Sequence, residues 1–285
     1  MAQELIVITG TSTGIGNATA QELASRGFYV LAGVRKLTDA DAIRSKNIEP
    51  IILDITNETH ITNLVQRLQK DPKNRPLKAL INNAAIEINT PLEVLPLTEW
   101  KRQFDVNFFG QVAMIQALLP AIFKSKGTII NISSIGGKAA MGGYGPYAST
   151  KFAMEGMSDS LRRELAPFGV KVVVVLPGGV ATPMSAQVRS KAEKYMKDMT
   201  PEHRNRYGSL MHAMVSQAES YIKNAVSAPK AGKIIADIVG NKNPKTRYFI
   251  GQDAKMVRFM NWLLPDSWLD KAVANSMKSH YPKNI

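Results

Sequence analysis

The chain has no cysteine. This excludes disulfides, a thiolate nucleophile and any metal site with cysteine ligands. Histidine is scarce too. The four histidines stand at 60, 203, 212 and 280 without metal-ligand spacing, so no metal is expected. No internal repeat, linker or low-complexity stretch interrupts the 285 residues. The first ten, MAQELIVITG, lack a basic leader and a small-residue cleavage site. A secretory signal is therefore not expected, and the expected compartment is the cytoplasm. One stretch, residues 106–123, is free of charge, but Asn107, Gly110, Gln111, Gln116 and Pro120 interrupt it. A core or interface helix is expected there rather than a membrane span. Nucleic-acid-binding motifs and dense basic runs are also missing, although the formal charge is +13. Part of that excess lies late: from Lys230 onward, ten Lys/Arg oppose four Asp. A solvated basic surface is expected, with no nucleic-acid partner. Contact with an anionic membrane stays open but is not favoured.

What is present is ordinary globular material, 45% hydrophobic and 21% charged, enough for one sizeable core. Strand-like and helix-like stretches alternate. Residues 4–9, 28–34, 50–53, 77–81, 127–132, 170–175 and 246–250 read as strands. Several lack polar alternation, the mark of strands covered on both faces. Helical spacing follows most of them, as at Ile61, Leu64, Val65 and Leu68. The expected fold is an α/β, Rossmann-type, doubly wound parallel sheet. The whole chain, 1–285, is expected to be one domain. Residues 185–228 break the alternation as a helical insertion carrying Met196, Met199, Met211 and Met214. Such an insertion can form a substrate pocket with adaptable apolar walls, or simply a packed helical pair. Residues 252–285 form a C-terminal extension whose apolar stretch spans 256–277, with Trp262 and Trp268. Packing on its own core is expected first, then on another subunit, then on a membrane surface.

Three stretches carry chemistry. The first strand runs into TGTSTGIG, residues 9–16, and then a helix. Glycines at 10, 14 and 16 let backbone approach a pyrophosphate, whose charge suits a helix N-terminus. Ser12, Thr13 and Ile15 complete that turn. The second strand ends at Val34-Arg35-Lys36 with no acid before Asp39. An acid there would accept a ribose 2′-hydroxyl; Arg35 with Lys36 can instead pair with a 2′-phosphate. Asp54 closes the third strand. It can accept from an adenine amino group or cap Thr56–Asn57. After the fourth strand, NNAA at 82–85 offers small residues for a flat ligand, while Asn82 and Asn83 can tie strand ends together.

The third stretch is NISSIGGKAAMGGYGPYASTK, residues 131–151. Ser133 and Ser134 stand at the C-terminal end of a strand, where open parallel sheets hold ligands. Tyr147 and Lys151 are four apart on a helix started by Pro146, so the phenol and ammonium share one face. A nearby cation favours phenolate and would bring the tyrosine toward the working pH range. Asn107, set among Phe104, Val106, Phe108 and Phe109, must find partners if buried.

Across residues 4–250 the chain resembles the short-chain dehydrogenase/reductase family. TGTSTGIG resembles its cofactor loop. NNAA resembles N-N-A-G, with Ala85 for the usual Gly. Asn107, Ser134, Tyr147 and Lys151 match its catalytic tetrad, and PGGVAT at 177–182 resembles its P-G-x-V-x-T strap. The short form of the family is the nearer likeness, with relatives acting on retinoids, steroids and other lipophilic alcohols. The resemblance implies hydride transfer between a nicotinamide and a carbonyl or secondary alcohol, with Tyr147 as acid/base. Lys151 would lower its pKa and hold ribose hydroxyls. Ser134 would orient the substrate oxygen, and Asn107 would hold a water. Beyond Tyr147 and Lys151, it implies cofactor contacts from Gly10, Ser12, Thr13, Gly14, Ile15, Gly16, Arg35, Lys36, Asp54, Ile55, Asn83, Ala84, Ala85, Pro177, Gly178, Val180 and Thr182. Substrate contacts are expected from Ser134, Tyr144, Tyr147 and Met184. NADP(H) is expected over NAD(H), with a hydrophobic carbonyl or alcohol substrate. A homo-oligomer, dimer or tetramer, is expected through helices 98–123 and 147–166. A non-catalytic cofactor-binding regulator and a membrane-surface protein are the alternatives.

Overall fold

The computed structural model describes residues 3–282. In chain order its elements are β1 (Leu5–Ile8), α1 (Gly14–Ser25), β2 (Tyr29–Val34), α2 (Leu37–Ile43), β3 (Ile48–Ile52), α3 (Glu58–Gln69) and β4 (Leu77–Asn82). Then come α4 (Leu97–Phe104), a π-helical turn (Asp105–Phe109), α5 (Gly110–Ser125), β5 (Thr128–Ile132), α6 (Gly145–Leu165) and β6 (Lys171–Pro177). The later part holds β7 (Val180–Ala181), α7 (Pro183–Ala186), α8 (Val188–Asp198), α9 (Pro201–Lys223) and β8 (Val226–Ser227). It closes with α10 (Ala228–Gly240), β9 (Arg247–Ile250), α11 (Gln252–Leu263) and α12 (Asp266–Lys278).

Seven strands form a parallel sheet in the order β3-β2-β1-β4-β5-β6-β9. The order reverses between β1 and β4, which opens a crevice at their C-terminal ends. Successive residues of a strand face opposite ways. Ile6 and Ile8 enter the core under α1 and α10, while Leu5 and Val7 enter the core under α3, α5 and α6. Both faces are therefore dry, and the apolar runs show no polar alternation for that reason.

The third strand begins two residues earlier than expected and contains Pro50. Proline is tolerated there because β3 is an edge strand. The helix expected from Thr98 starts at Leu97, with Pro96 at its cap and no side-chain cap bond. Its apolar stretch is long enough to cross a membrane. Here it lies along the sheet and buries Met114, Ile115, Leu118 and Ile122. The insertion is helical, as expected, and β7 pairs with β8 at its base. Of its methionines, Met199, Met211 and Met214 are buried in a separate small core.

The C-terminal extension departs from expectation. Only Ala254 of α11 and Met277 of α12 are buried. Phe259, Trp262, Leu263 and Trp268 stand in solvent, with Trp262 79% exposed. The extension packs on the body through half-buried residues such as Val257, Met260 and Leu269 and through Arg258, which lies over Phe249 at 4.9 Å, while its largest side chains stay outside.

Candidate active site

The glycine turn has the shape that the spacing suggested, for steric reasons. Gly10 (φ 68°) and Gly14 (φ 63°) are left-handed. A Cβ on Gly10 would sit 2.8 Å from Ala84 Cα, and one on Gly16 would collide with the Gly10 carbonyl and Asn83 Nδ2. The turn is tied to the sheet by Thr11, whose N–H and hydroxyl both donate to the Gly33 carbonyl, at 2.9 and 3.1 Å. Asn83 Nδ2 donates to the carbonyls of Thr9 and Gly10, both at 2.9 Å. Thr9 Oγ1 accepts from the N–H groups of Asn83 and Ala84. Asn83 is thus a tie between strand ends, as is Asn82, which donates to Asn131 Oδ1 at 2.9 Å. Ser12 and Thr13 are exposed, and Thr13 caps α1 without a side-chain bond. The first N–H groups of α1 therefore face the crevice free of any side-chain cap. That cradle fits a pyrophosphate.

Around the cradle, Arg35 and Lys36 are exposed at the end of β2. Asp54 Oδ1 accepts from the N–H and hydroxyl of Thr56, at 2.9 and 2.7 Å. Burial alone would raise the Asp54 carboxyl. The Thr56 hydrogen bonds and the Arg35 charge reverse this and hold it low. Ile55 is buried in the core. Ala85 is partly exposed beside Ala84. The strap of residues 177–182 lies opposite. A Cβ on Gly14 would stand 3.2 Å from Thr182 Cγ2, so strap and turn approach closely. Pro177 ends β6 and Val180 is buried in β7. Gly178 admits no Cβ because the Asp253 carboxylate fills that space. Asp253 accepts from Gly179 N–H at 2.6 Å. Asp253 was not anticipated. It lies 74 residues downstream of Gly179, and no local pattern links the two.

Ser134, Tyr147 and Lys151 meet at the C-terminal end of β5. Ser134 Oγ accepts from Gly136 N–H at 3.0 Å, which orients the hydroxyl at a short 3-10 turn. Pro146 starts α6 as expected, and Tyr147 follows in its first turn. Lys151 Nζ donates to the Ile132 carbonyl at 2.9 Å and lies 5.5 Å from the Tyr147 ring centre. The pKa pattern reverses the expectation. Burial pushes the Tyr147 phenol well above its ordinary value, the Glu87 charge adds to this, and Ser134 opposes it. Burial lowers Lys151 from an ordinary 10.5 to about 8, while Glu87 and Glu155 pull the other way. Desolvation drives each group toward its neutral form and is the leading cause of both shifts.

Asn107 is fully buried on the π-helical turn, a local widening common at functional sites. Its amide clamps residue 86 from both sides: Nδ2 donates to the Ile86 carbonyl and Oδ1 accepts from the Ile86 N–H, each at 2.8 Å. Nδ2 also donates to Thr150 Oγ1 at 3.2 Å. Both side-chain N–H donors are thus used within the protein. Four residues earlier on the same helix face, buried Gln103 clamps Ile88 the same way, at 3.0 and 3.2 Å.

Between the two clamps is Glu87, a second residue the sequence reading missed. It lines a narrow cleft, with a free volume of about 30 Å³, together with Asn89, Tyr144, Met184, Lys191 and Met214. Tyr144 and Met184 fall where a substrate was expected, and Met211 and Met214 supply apolar wall. The carboxylate among them was not foreseen, although a charge within AAIEIN was a signal. Burial pushes the Glu87 carboxyl up, against the Asn89 hydrogen bond and the charges of Lys191 and Lys151.

Comparison with known proteins agrees with this geometry. The family model of short chain dehydrogenases matches residues 4–193. A 3-amino-tetrahydro-pyrrolizinone reductase from Xenorhabdus hominickii is 36% identical, covering 95% of this chain and 96% of its own. An NADPH-dependent 3-dehydrocapnine reductase from Ornithobacterium rhinotracheale is 32% identical, over 95% and 96%. Retinol dehydrogenase 7 from Rattus norvegicus is 31% identical, over 97% and 88%, in keeping with the expected likeness to enzymes of lipophilic alcohols. With the parallel sheet, the glycine cradle and these full-length relatives in agreement, the chain belongs to the short chain dehydrogenases, oxidoreductases that interconvert alcohol and carbonyl groups.

Proposed function

We propose that the protein is an NADP(H)-dependent oxidoreductase of carbonyl compounds or secondary alcohols, with Tyr147 as general acid/base. The observation carrying this reading is the convergence of Ser134, Tyr147 and Lys151 beside Glu87's cleft, at the sheet end that also bears the glycine cradle. When bound, the nicotinamide supplies or accepts the hydride. The residues around it position and move the proton. Tyr147 gives its phenolic proton to the substrate oxygen in reduction and takes it back in oxidation. A phenol kept protonated by burial suits the reductive direction. The Ser134 hydroxyl holds the same oxygen. Lys151, charged below about pH 8, offers an ammonium to ribose hydroxyls. Asn107 acts as a positioning residue, pinning the loop after β4 and the turn of α6 through Thr150.

Preference for NADP(H) is supported by Arg35 at the end of β2, where no acid follows the strand before Asp39. The NADPH-dependent relative points the same way. Met184, Met211 and Met214 favour an apolar substrate body. Assembly as a homo-oligomer is supported by exposed aromatics on α5, α6 and their flanks: Phe109 (57% exposed), Phe152, and the edge-to-face pair Phe123–Phe168. The direct test is turnover of a panel of ketones, aldehydes and secondary alcohols with NADP(H) and NAD(H). Absence of NADP(H)-dependent turnover across that panel would overturn the reading.

A further inference from the structure

The cleft that Glu87 lines is largely apolar, and its polar side chains include the acceptors Glu87 and Asn89 together with Lys191. Glu87 Oε1 takes a hydrogen bond from Asn89 Nδ2 at 2.7 Å. Asn89 Oδ1 is buried and has no partner. Glu87 and Asn89 thus line one cavity side by side. Among the described residues, no Lys or Arg nitrogen comes within 4.0 Å of the Glu87 carboxylate. Lys191, in the same cleft, reaches the backbone carbonyl of Glu87 instead, at 3.4 Å. Lys151 is engaged by the Ile132 carbonyl.

The acceptors are also rigid. Gln103 and Asn107 clamp residues 88 and 86 with four hydrogen bonds. Both clamping side chains are fully buried. Glu87 therefore cannot withdraw into solvent by a loop movement without breaking those bonds. Glu87 is partly buried, and the charges of Lys191 and Lys151 act on its carboxylate without a direct ion pair. Such a group, preorganised and facing a substrate cavity, is suited to a ligand cation.

We propose that Glu87, with Asn89 Oδ1, forms a subsite for an ammonium group, and that the substrates are amphiphilic amino ketones or amino alcohols. The proposal rests on the reading of the site as a carbonyl/alcohol oxidoreductase and names the substrate class of that site. The ammonium donates two hydrogen bonds to the carboxylate and the amide oxygen. The carbon chain lies on Met184 and Met214. The carbonyl or hydroxyl is held at Ser134 and Tyr147, whose phenol already lies in the field of the Glu87 charge. The cationic group thus sits near the reacting carbon and reads position as well as charge.

The test uses two alcohols of equal size, 1-aminodecan-2-ol and undecan-2-ol, with NADP⁺ and the full-length protein. The wild type should prefer the amino alcohol in kcat/KM, by about tenfold to a hundredfold, the range of a hydrogen bond to a charged partner. In Glu87→Gln, which keeps the shape, that ratio should collapse toward unity. A defect in folding or proton transfer would lower both alcohols together and leave the ratio standing. Calorimetric titration of the NADP⁺-loaded protein with 1-aminodecane gives a readout independent of turnover. Binding to the wild type and at least tenfold weaker binding to Glu87→Gln supports the subsite, even if neither alcohol is oxidised, in which case the reaction assignment fails and the subsite stands. A wild type that favours undecan-2-ol, or an amine that binds both proteins equally, would overturn it. The wild-type comparison needs no variant, so a misfolded Glu87→Gln leaves the proposal exposed to refutation.

Discussion

On the β1–β4 wall of the crevice, nearly every polar side chain is spent on another part of the protein. Thr9, Thr11, Asn82 and Asn83 tie strand ends to one another, and the glycine turn offers backbone with the exposed Ser12 and Thr13 beside it. On the loop after β4 and at the start of α6 the balance is reversed. Glu87, Asn89 and Tyr144 project into a cleft, and Asn89 Oδ1 has no partner. The wall proposed for the cofactor is thus largely main chain held by side chains. The substrate wall is made of side chains held by main-chain clamps at residues 86 and 88. Changes on the first wall should act through backbone fit and reach every ligand alike, whereas changes on the second should act through the chemistry of single groups.

The largest expected effect lies between the walls. Tyr147→Phe removes the proton-donating atom and keeps the ring. Turnover should fall at least about a hundredfold, with cofactor Kd unchanged by fluorescence titration. Near-normal turnover in the folded variant would remove Tyr147 from its role.

On the cofactor wall, Gly16→Ala places a Cβ on the Gly10 carbonyl and Asn83 Nδ2. Overpacking of this kind costs roughly 1–3 kcal/mol. Denaturant unfolding should show that loss, and both NADP(H) and NAD(H) should weaken together. A discriminating effect on one cofactor would contradict the picture of a backbone wall.

Arg35→Ala sharpens the contrast, because the role proposed for Arg35, at the end of β2, is that of a side chain reading a ligand. NADP(H) affinity should drop about tenfold to a hundredfold, with NAD(H) affinity held. Equal loss for both cofactors would make Arg35 a general surface residue.

The smallest effect is in pH dependence. Lys151 has its pKa lowered to about 8 from 10.5. Its charged form, needed for ribose binding, is lost as pH rises through about 8, where kcat/KM should have fallen about twofold from its plateau. Stability should move the other way. Between about pH 8 and 10.5 the unfolded chain binds more protons at this residue than the folded one, so unfolding free energy rises with pH in that window. Glu87 opposes the lowering, so Glu87→Gln should shift the kinetic limb to lower pH. An unmoved limb in pH–rate profiles of the two proteins would separate Lys151 from Glu87.

Legibility in the sequence followed the range of the interactions. The glycine turn, Pro146 at the start of α6 and the Tyr147–Lys151 face were readable because each depends on residues within four or five positions. The sheet strands were readable because burial on both faces leaves an apolar run. Edges blurred where context overrode propensity, as at Pro50, admitted because β3 is the sheet edge. Asp253 and Glu87 were missed because their meaning comes from contacts far along the chain: Gly179 for the first, Lys191 and Met214 for the second.

By itself the sequence determined which groups exist and which share a helix face or a turn, since bond geometry and periodicity suffice for that. Only the tertiary structure decided their state. Burial, a collective property of the packed chain, raised the Tyr147 phenol and lowered Lys151, where spacing alone suggested the opposite coupling. Packing also spent the Asn107 amide on Ile86, left the tryptophans of the extension in solvent, and set an acid in a largely apolar cleft. Desolvation and hydrogen-bond partnership depend on what the rest of the fold brings near, and no local pattern encodes that.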